Sequence, residues 1–302
     1  MPNLKHIKVR IKSIKSTQKI TQAMKMVAAS KVRKAQIRVL NSRPYSKKVN
    51  DFTTKTVSAM LLTDRQEIPL MNKREVKSAG IIVISSDRGL CGSYNTNIIK
   101  KAARRVIELE KSNIKPKLII IGNKANNFFR RTKTEIIDSF TQLPGIPSVE
   151  LANLIAASAE KVFINKTVDQ VEIIGTDFIS MLRNEIYQKH FLPIVAPSLS
   201  NDQSSEGQDK SCPYTSTQEV LFEPLLTSVL EHLLPLYLSN VIFHALLEAS
   251  CSELASRMNA MSNATKNAKE LIDKLTIIYN KARQAAITQE LTEIVGGAEA
   301  LK

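Results

Sequence analysis

GIIVISSDRGLCGSYNTNIIKKAARRVIELEK, residues 80–111, decides the fold. It opens on a short apolar, β-branched run, Gly80-Ile-Ile-Val-Ile-Ser-Ser, which reads as a strand buried on both faces. The loop Ser86-Asp-Arg-Gly-Leu-Cys-Gly-Ser-Tyr-Asn95 follows, and Ile98–Lys111 then takes up helical periodicity. The change of period recurs downstream. Lys117-Leu-Ile-Ile-Ile-Gly is a second strand passing into a helix, and Val171-Glu-Ile-Ile-Gly is a further strand. Buried strands alternating with helices predict βαβ units and a parallel sheet covered on both faces, a Rossmann-like α/β domain over residues 75–195.

Outward from this domain the chain is helical. Residues 1–60 hold no glycine and, after Pro2, only Pro44. Leu4, Ile7, Ile11 and Ile14 recur at 3–4 spacing, which weakens into Ala23, Met24, Val27 and Ala28. One long amphipathic helix is expected, bent near Pro44, with a small-sided seam at residues 28–30. Residues 196–218 are polar and rich in Ser, Asp, Gln and Pro, a flexible loop. A last helix is expected over 222–302, with Pro224 in its first turn. Beyond Pro235 there is no further proline, and no glycine before Gly296. Such a run makes a helix on the order of 90 Å long, which needs a partner.

The partner expected is the first helix. The two ends of the chain then pair as an antiparallel coiled coil with the α/β domain inserted between them. Ala245, Ala249, Ser252, Ser256 and Asn263 form the predicted small-residue seam of the last helix. Farther on it becomes more apolar, through Ile277, Ile278, Ala282, Ala285, Ala286 and Ile287. The longer last helix projects its tip alone, and a bare apolar tip belongs inside a partner.

Composition narrows the function. No apolar run was found that approaches the length of a membrane span, and the basic N-terminus lacks the features of a secretory signal. Cys91, Cys212 and Cys251 are odd in number, scattered, and out of ligand spacing with the four histidines, so neither a disulfide framework nor a zinc site is indicated. A reducing compartment follows by default. The net charge is +15, and residues 1–55 carry fifteen Lys and Arg against the single acid Asp51. A one-signed stripe of that kind requires an anionic partner: nucleic acid, lipid head groups or an acidic protein surface.

Chemistry is harder to find. The loop Asp87–Asn95 lies between strand and helix, where α/β folds bind phosphates, yet it is neither GxGxxG nor GxxxxGK[ST]; its glycines read as tight turns and close packing. His6, His190, His232 and His244 read as solvated or core residues. Glu290 and Glu293 sit three apart on one helix face, spacing compatible with acid/base work but more typical of a solvated or partner-facing edge. The basic helix lacks aromatic interleaving before Tyr45 and carries no nucleic-acid-binding motif.

Three stretches carry a resemblance. Thr17-Gln-Lys-Ile-Thr-Gln-Ala-Met-Lys-Met-Val-Ala-Ala-Ser-Lys31 resembles the N-terminal helix of F-type ATP synthase γ subunits. Ser86-Asp-Arg-Gly-Leu-Cys-Gly-Ser-Tyr-Asn95 looks like that family's central loop, and Tyr279-Asn-Lys-Ala-Arg-Gln-Ala-Ala-Ile-Thr-Gln-Glu-Leu-Thr-Glu-Ile-Val-Gly-Gly-Ala298 is similar to its C-terminal signature. Their order and spacing also agree, so the resemblance covers essentially the whole chain. It implies a central-stalk rotor shaft with no catalytic residue, cofactor or metal of its own. The implied partners are an α3β3 hexamer, the ε subunit and the membrane c-ring, with acidic β-subunit loops, not nucleic acid, facing the basic helix.

Carried over by position, the resemblance assigns β-subunit contacts to Met24, Lys25, Arg283, Gln284, Thr288, Gln289, Glu290 and Glu293. Ile287, Leu291, Ile294 and Val295 become the tip held in an apolar sleeve. Some photosynthetic members add a regulatory insertion with a redox-active cysteine pair; here Cys212 stands alone, so no intrachain thiol switch is expected. The ending Gly296-Gly-Ala-Glu-Ala-Leu is similar to cyanobacterial versions. With Met1 directly before the family's start and no transit peptide expected, the implied location is peripheral, on the cytoplasmic side of a bacterial plasma membrane or on a thylakoid membrane.

Overall fold

A computed structural model describes residues 4–59, 68–194 and 226–299. The expected loop 196–218, with Cys212, and the helix start at Pro224 lie outside these residues. Eleven elements follow in order: α1 Leu4–Ala59, a 3-10 turn Pro69–Met71, β1 Ser78–Ile84, α2 Tyr94–Lys111, β2 Lys115–Ile121, α3 Asn123–Phe129, β3 Glu135–Phe140, α4 Val149–Ile164, β4 Gln170–Phe178, β5 Asn184–Leu192 and α5 Leu226–Glu299. The described chain divides into two compact units. One is an α/β unit of residues 35–89 and 94–252, and the other is a helical unit of residues 1–34, 90–93 and 253–302.

In the α/β unit the strands are ordered β3-β2-β1-β4-β5. β1 pairs in parallel with β2 and β4, and β2 with β3. β5 corrects the all-parallel expectation, because it runs antiparallel to β4 at the sheet edge. The connection between them is too short to cross over the sheet. It closes as a hairpin in which Ile179 and Ser180 N–H donate to Arg183 O at 3.3 and 2.9 Å.

Strand alternation sorts the side chains onto two faces. Ile82, Ile84, Ile119, Ile121, Val171 and Ile173 join α4 and the first part of α5 in one core. On α2, Ile98, Ala102, Val106 and Leu109 are buried at helical spacing. Arg105 pins α2 to the sheet: its guanidinium donates to both Glu172 oxygens at 2.7 and 2.9 Å, and Gln188 Nε2 on β5 donates to the same carboxylate at 2.8 Å. This largely buried pair holds the Arg105 guanidinium above its ordinary pKa, the hydrogen bond to Glu172 being the main cause.

α1 is one helix of 56 residues and runs through Pro44, which is exposed. Its covered positions form a seven-residue repeat: Leu4, Ile7, Ile11, Ile14, Gln18 and Thr21, then Ala28, Val32, Ala35, Val39, Ser42, Ser46, Val49, Thr53 and Thr56 are each half-buried or buried. Of the positions expected after Ile14, Ala28 is buried and Met24 and Ala29 are half-buried, whereas Ala23, Val27 and Ser30 are exposed; between Ile14 and Ala28 the seam itself turns polar, through Gln18 and Thr21.

α5 is 74 residues long, or about 110 Å, because it begins before Pro235 and continues through it. Its covered positions include Ala245, Ala249, Ser252 and Ala255, then Met261, Thr265, Ala268, Ile272, Leu275, Tyr279 and Ala282. Asn263, expected in the seam, is exposed. Contrary to the sequence reading, α5 also has the length and composition of a membrane span, with mean hydropathy 1.3 in its most apolar window. Its Leu230, Leu234, Leu238 and Ile242 are buried in the core of the α/β unit, and a core helix meets the same criteria.

Candidate functional site

In the helical unit, Thr21 Oγ1 and Thr265 Oγ1 lie 2.9 Å apart across the seam. Their residue numbers add to 286, and in an antiparallel pair that register sets Leu4 level with Ala282. Residues 283–299 therefore continue without α1 beside them. The exposures agree: Ile287 is 49%, Leu291 57%, Ile294 68% and Val295 63% exposed.

At about 100° per residue these four side chains share one arc of about 100°. Arg283, Gln289, Glu290 and Glu293 fall on a separate arc, where Gln289 Nε2 donates to Glu293 Oε1 at 2.9 Å. Gln284 lies inside the apolar arc and Thr288 at its margin, its Oγ1 donating to Gln284 O at 2.9 Å. The polar positions assigned by resemblance thus do not share a face. Nor does the fold gather Met24 and Lys25 with them, since the register places these level with Met261 and Ser262, about 30 Å along the helix from Arg283. Met24 is half-buried and Lys25 exposed. Around them the surface of α1 mixes exposed lysines and arginines with Val9, Ile20, Met26 and Val27, each more than half exposed.

Within the α/β unit α1 and α5 also lie side by side, through Ser42 with His244, Ser46 with Asn240, and Asn50 with Tyr237. A clamp around one buried carboxylate joins both long helices to the sheet here. Glu248 on α5 is 3% exposed. Its Oε1 accepts from Arg43 Nε and Nη2 on α1 at 3.1 and 3.0 Å, and its Oε2 accepts from Phe178 N–H on β4 at 2.8 Å. Arg43 Nη2 also donates to Phe178 O at 2.9 Å. His244 stands one turn earlier, Nε2 3.5 Å from Glu248 Oε1. Tyr94, the tyrosine of the central-loop motif, lies in the first turn of α2, and its hydroxyl donates to Ala249 O at 3.1 Å.

Sequence reading missed this clamp. Arg43 was one basic residue among fifteen, and His244 was read as bland. The available signal was Glu248, the lone acid in the apolar stretch Val241–Ser252, one turn from His244.

Burial holds the His244 pKa below its ordinary value; Glu248 opposes the shift and Arg43 adds to it. A depressed histidine stabilises the fold above its unfolded pKa of about 6.5, and this contribution is lost as pH falls through the lower folded value. The wild-type chain is accordingly expected to lose more thermal stability than His244→Gln between pH 7 and 5. Parallel melting curves for the two proteins would contradict this. Burial also pushes the Cys251 thiol up to about 12, so it is inert as a nucleophile near neutrality.

The loop after β1 is occupied by its own chain. Asp87 accepts from Asn123 N–H at 2.8 Å and from Leu143 N–H, Asn95 Oδ1 accepts from Ser86 N–H at 3.1 Å, and Ser85 Oγ accepts from Ala125 N–H at 3.1 Å. The N–H groups of Ser86, Asn123, Ala125 and Leu143 are thereby committed to side chains of the chain itself. Gly122 has φ +94°, and a Cβ there would lie 2.4 Å from Ser85 O. Gly122→Ala is expected to lower stability by about 1–3 kcal/mol or more, read as a fall in the urea midpoint.

The remaining candidates are plain. His6 and His232 are exposed, and His190 Nε2 lies 2.9 Å from Pro193 O. Glu290 and Glu293 are exposed. Cys91 and Cys251 are buried and not joined in a disulfide, and among the described residues no group of His, Cys, Asp or Glu could hold a metal.

A family model described as ATP synthase matches residues 3–301. The ATP synthase gamma chain of Trichormus variabilis is 44% identical over 315 residues, covering 100% of both chains. The chain belongs to the ATP synthase gamma-chain family. The gamma chain of Cyanothece sp. is 42% identical over 322 residues, again covering 100% of each. Among solved structures, a chain of the Tetrahymena thermophila mitochondrial ATP synthase central stalk and c-ring aligns with TM-score 0.60 and 26% identity, over 81% of this chain and 99% of that one. A chain of the Euglena gracilis mitochondrial ATP synthase aligns with TM-score 0.68 and 22% identity, over 99% and 94%, and bears on the fold alone. As a gamma chain the protein is a central-stalk subunit of a membrane-associated F-type ATP synthase. Its three motifs fall within α1, across the β1–α2 turn, and at the end of α5.

Proposed function

We propose that this gamma chain is the turning and non-catalytic subunit of its synthase, coupling ion flow through a membrane c-ring to the conformational cycle of catalytic β subunits. α1 and α5 serve as the helical shaft, and the α/β domain between them as the part that meets ε and the c-ring. The observation that carries this reading is the end of α5, where a helix without a partner of its own leaves Ile287, Leu291, Ile294 and Val295 in water. So much exposed apolar surface requires an apolar sleeve in the assembled state.

Unlike faces are what a shaft needs. The apolar arc and the Arg283–Glu293 arc present different chemistry in different directions, so subunits arranged around the helix meet different surfaces. Each is biased toward a different nucleotide affinity, and turning the helix permutes the biases. Arg283, Gln284, Thr288, Gln289, Glu290 and Glu293 make polar contacts that break at modest cost, and Met24 with Lys25 faces the acidic β loops. The complex is held on the cytoplasmic side of a bacterial plasma membrane or on a thylakoid membrane.

The test is to mix the chain with purified α and β subunits. One copy bound per hexamer, with ATPase activity that neither component shows alone, is the expected result. No complex, with the chain instead retained on immobilised DNA at physiological salt, would favour a nucleic-acid-binding role for the basic stripe of α1.

A further inference from the structure

The parallel strands give the α/β unit two unlike ends. Because β1, β2, β3 and β4 point the same way, the turns that lead into them lie at one end of the sheet and the turns that leave them lie at the other. The entry segments, residues 73–77, 110–117, 130–135 and 161–169, carry eleven Lys and Arg against four acids. The exit segments, residues 85–93, 122–124, 141–150 and 179–185, are balanced: Arg88, Lys124 and Arg183 stand against Asp87, Glu150 and Glu185. Charge is therefore sorted by direction, which a surface that only needs to stay soluble does not require.

The acids at the entry end are largely spent. Asp169 lies in the field of Arg74, Glu75 is 3.6 Å from Lys77, and Glu135 is 3.1 Å from Lys117. Lys111, Lys115, Arg130, Arg131, Lys133 and Lys166 are all exposed, and among the described residues none of them is in an ion pair. Apolar side chains are interleaved with these cations. Ile164 is 42% exposed at the end of α4, two residues before Lys166, and Phe128 is 43% exposed in the last turn of α3, two residues before Arg130. Nucleic acid or an acidic peptide would satisfy the cations and leave Ile164 in water. A bilayer surface takes both, because lysine and arginine reach headgroup phosphates while apolar side chains enter the boundary with the acyl chains.

We infer that the entry end of this sheet docks on an anionic phospholipid surface, its excess Lys and Arg meeting headgroup phosphates and Ile164 and Phe128 entering the headgroup layer. The inference rests on the reading of the α/β domain as the part of the stalk that meets the membrane ring, and it adds direct contact with lipid. A polarity-sensitive fluorophore on Lys115→Cys, with Leu182→Cys at the exit end as reference, tests it in the full chain carrying Cys212→Ser. Mixed phosphatidylcholine and phosphatidylglycerol vesicles are expected to shift the Lys115 label and not the Leu182 label, and pure phosphatidylcholine to shift neither. Arg131→Gln, Lys133→Gln and Lys166→Gln together are expected to raise the lipid concentration needed at least about tenfold. All three residues are exposed, so this variant folds. No shift of the Lys115 label, even where the chain sediments with anionic vesicles through the basic stripe of α1, would overturn the inference. So would an equal shift on neutral vesicles, a shift untouched by the three substitutions, or a stronger response to duplex DNA than to lipid. A chain that assembles with α and β subunits yet fails here loses the lipid contact alone, and the shaft reading stands.

Discussion

Arg43→Met is expected to destabilise the isolated chain by about 3–5 kcal/mol, because it leaves a buried carboxylate without its cation. Glu248 is 3% exposed, and in that variant it would keep only Phe178 N–H and the neighbouring imidazole. Glu248→Gln is expected to cost less, about 1–2 kcal/mol, since glutamine still offers a carbonyl to Phe178 N–H. The Arg43 side chain is 45% exposed and can turn to water once its partner is gone. Urea unfolding of the two variants measures the asymmetry. Equal and small losses would mean that the clamp contributes little. The ranking matters for function because this cluster joins α1, α5 and β4, so load on the sheet reaches both long helices through it.

Leu291→Asp combined with Ile294→Asp is expected to do the reverse, sparing the chain and disabling the complex. Both residues are more than half exposed, at 57% and 68%, so the unfolding midpoint of the free chain should stay within about 0.5 kcal/mol of wild type. In an apolar sleeve the same two carboxylates must be desolvated without partners, at a cost of several kcal/mol. ATP synthesis by reconstituted complexes is therefore expected to fall at least about tenfold, since each 1.4 kcal/mol is a factor of ten. Full activity in this variant would show that the end of α5 is not enclosed.

The contrast between these two regions explains what could be read in advance. The buried strands announced themselves because Ile81–Ile84 and Leu118–Ile121 are unbroken apolar runs, and α5 because a long Pro- and Gly-free stretch has few alternatives. β3 and β5 were harder: only two residues of β5, Phe191 and Leu192, are buried, so neither a solid apolar run nor a clean alternation marks it. The antiparallel turn of β5 depends on hydrogen bonds around Ser180 and Arg183 that composition does not reveal. The α1 seam vanished from view at Gln18 and Thr21, where a polar pair meets across the helices in place of an apolar one. The tip residues were legible as apolar positions, but Arg43 and Glu248 lie 205 residues apart and become a pair only through the antiparallel register.

The central claim is that this chain turns, and watching it turn tests that claim most directly. An α/β-subunit hexamer is fixed to a surface with this chain assembled in it, and a bead is attached to an engineered cysteine at the exposed Lys133. Stepwise, one-directional rotation on adding ATP is the predicted result. A bead that stays still while the same complexes hydrolyse ATP would contradict the account.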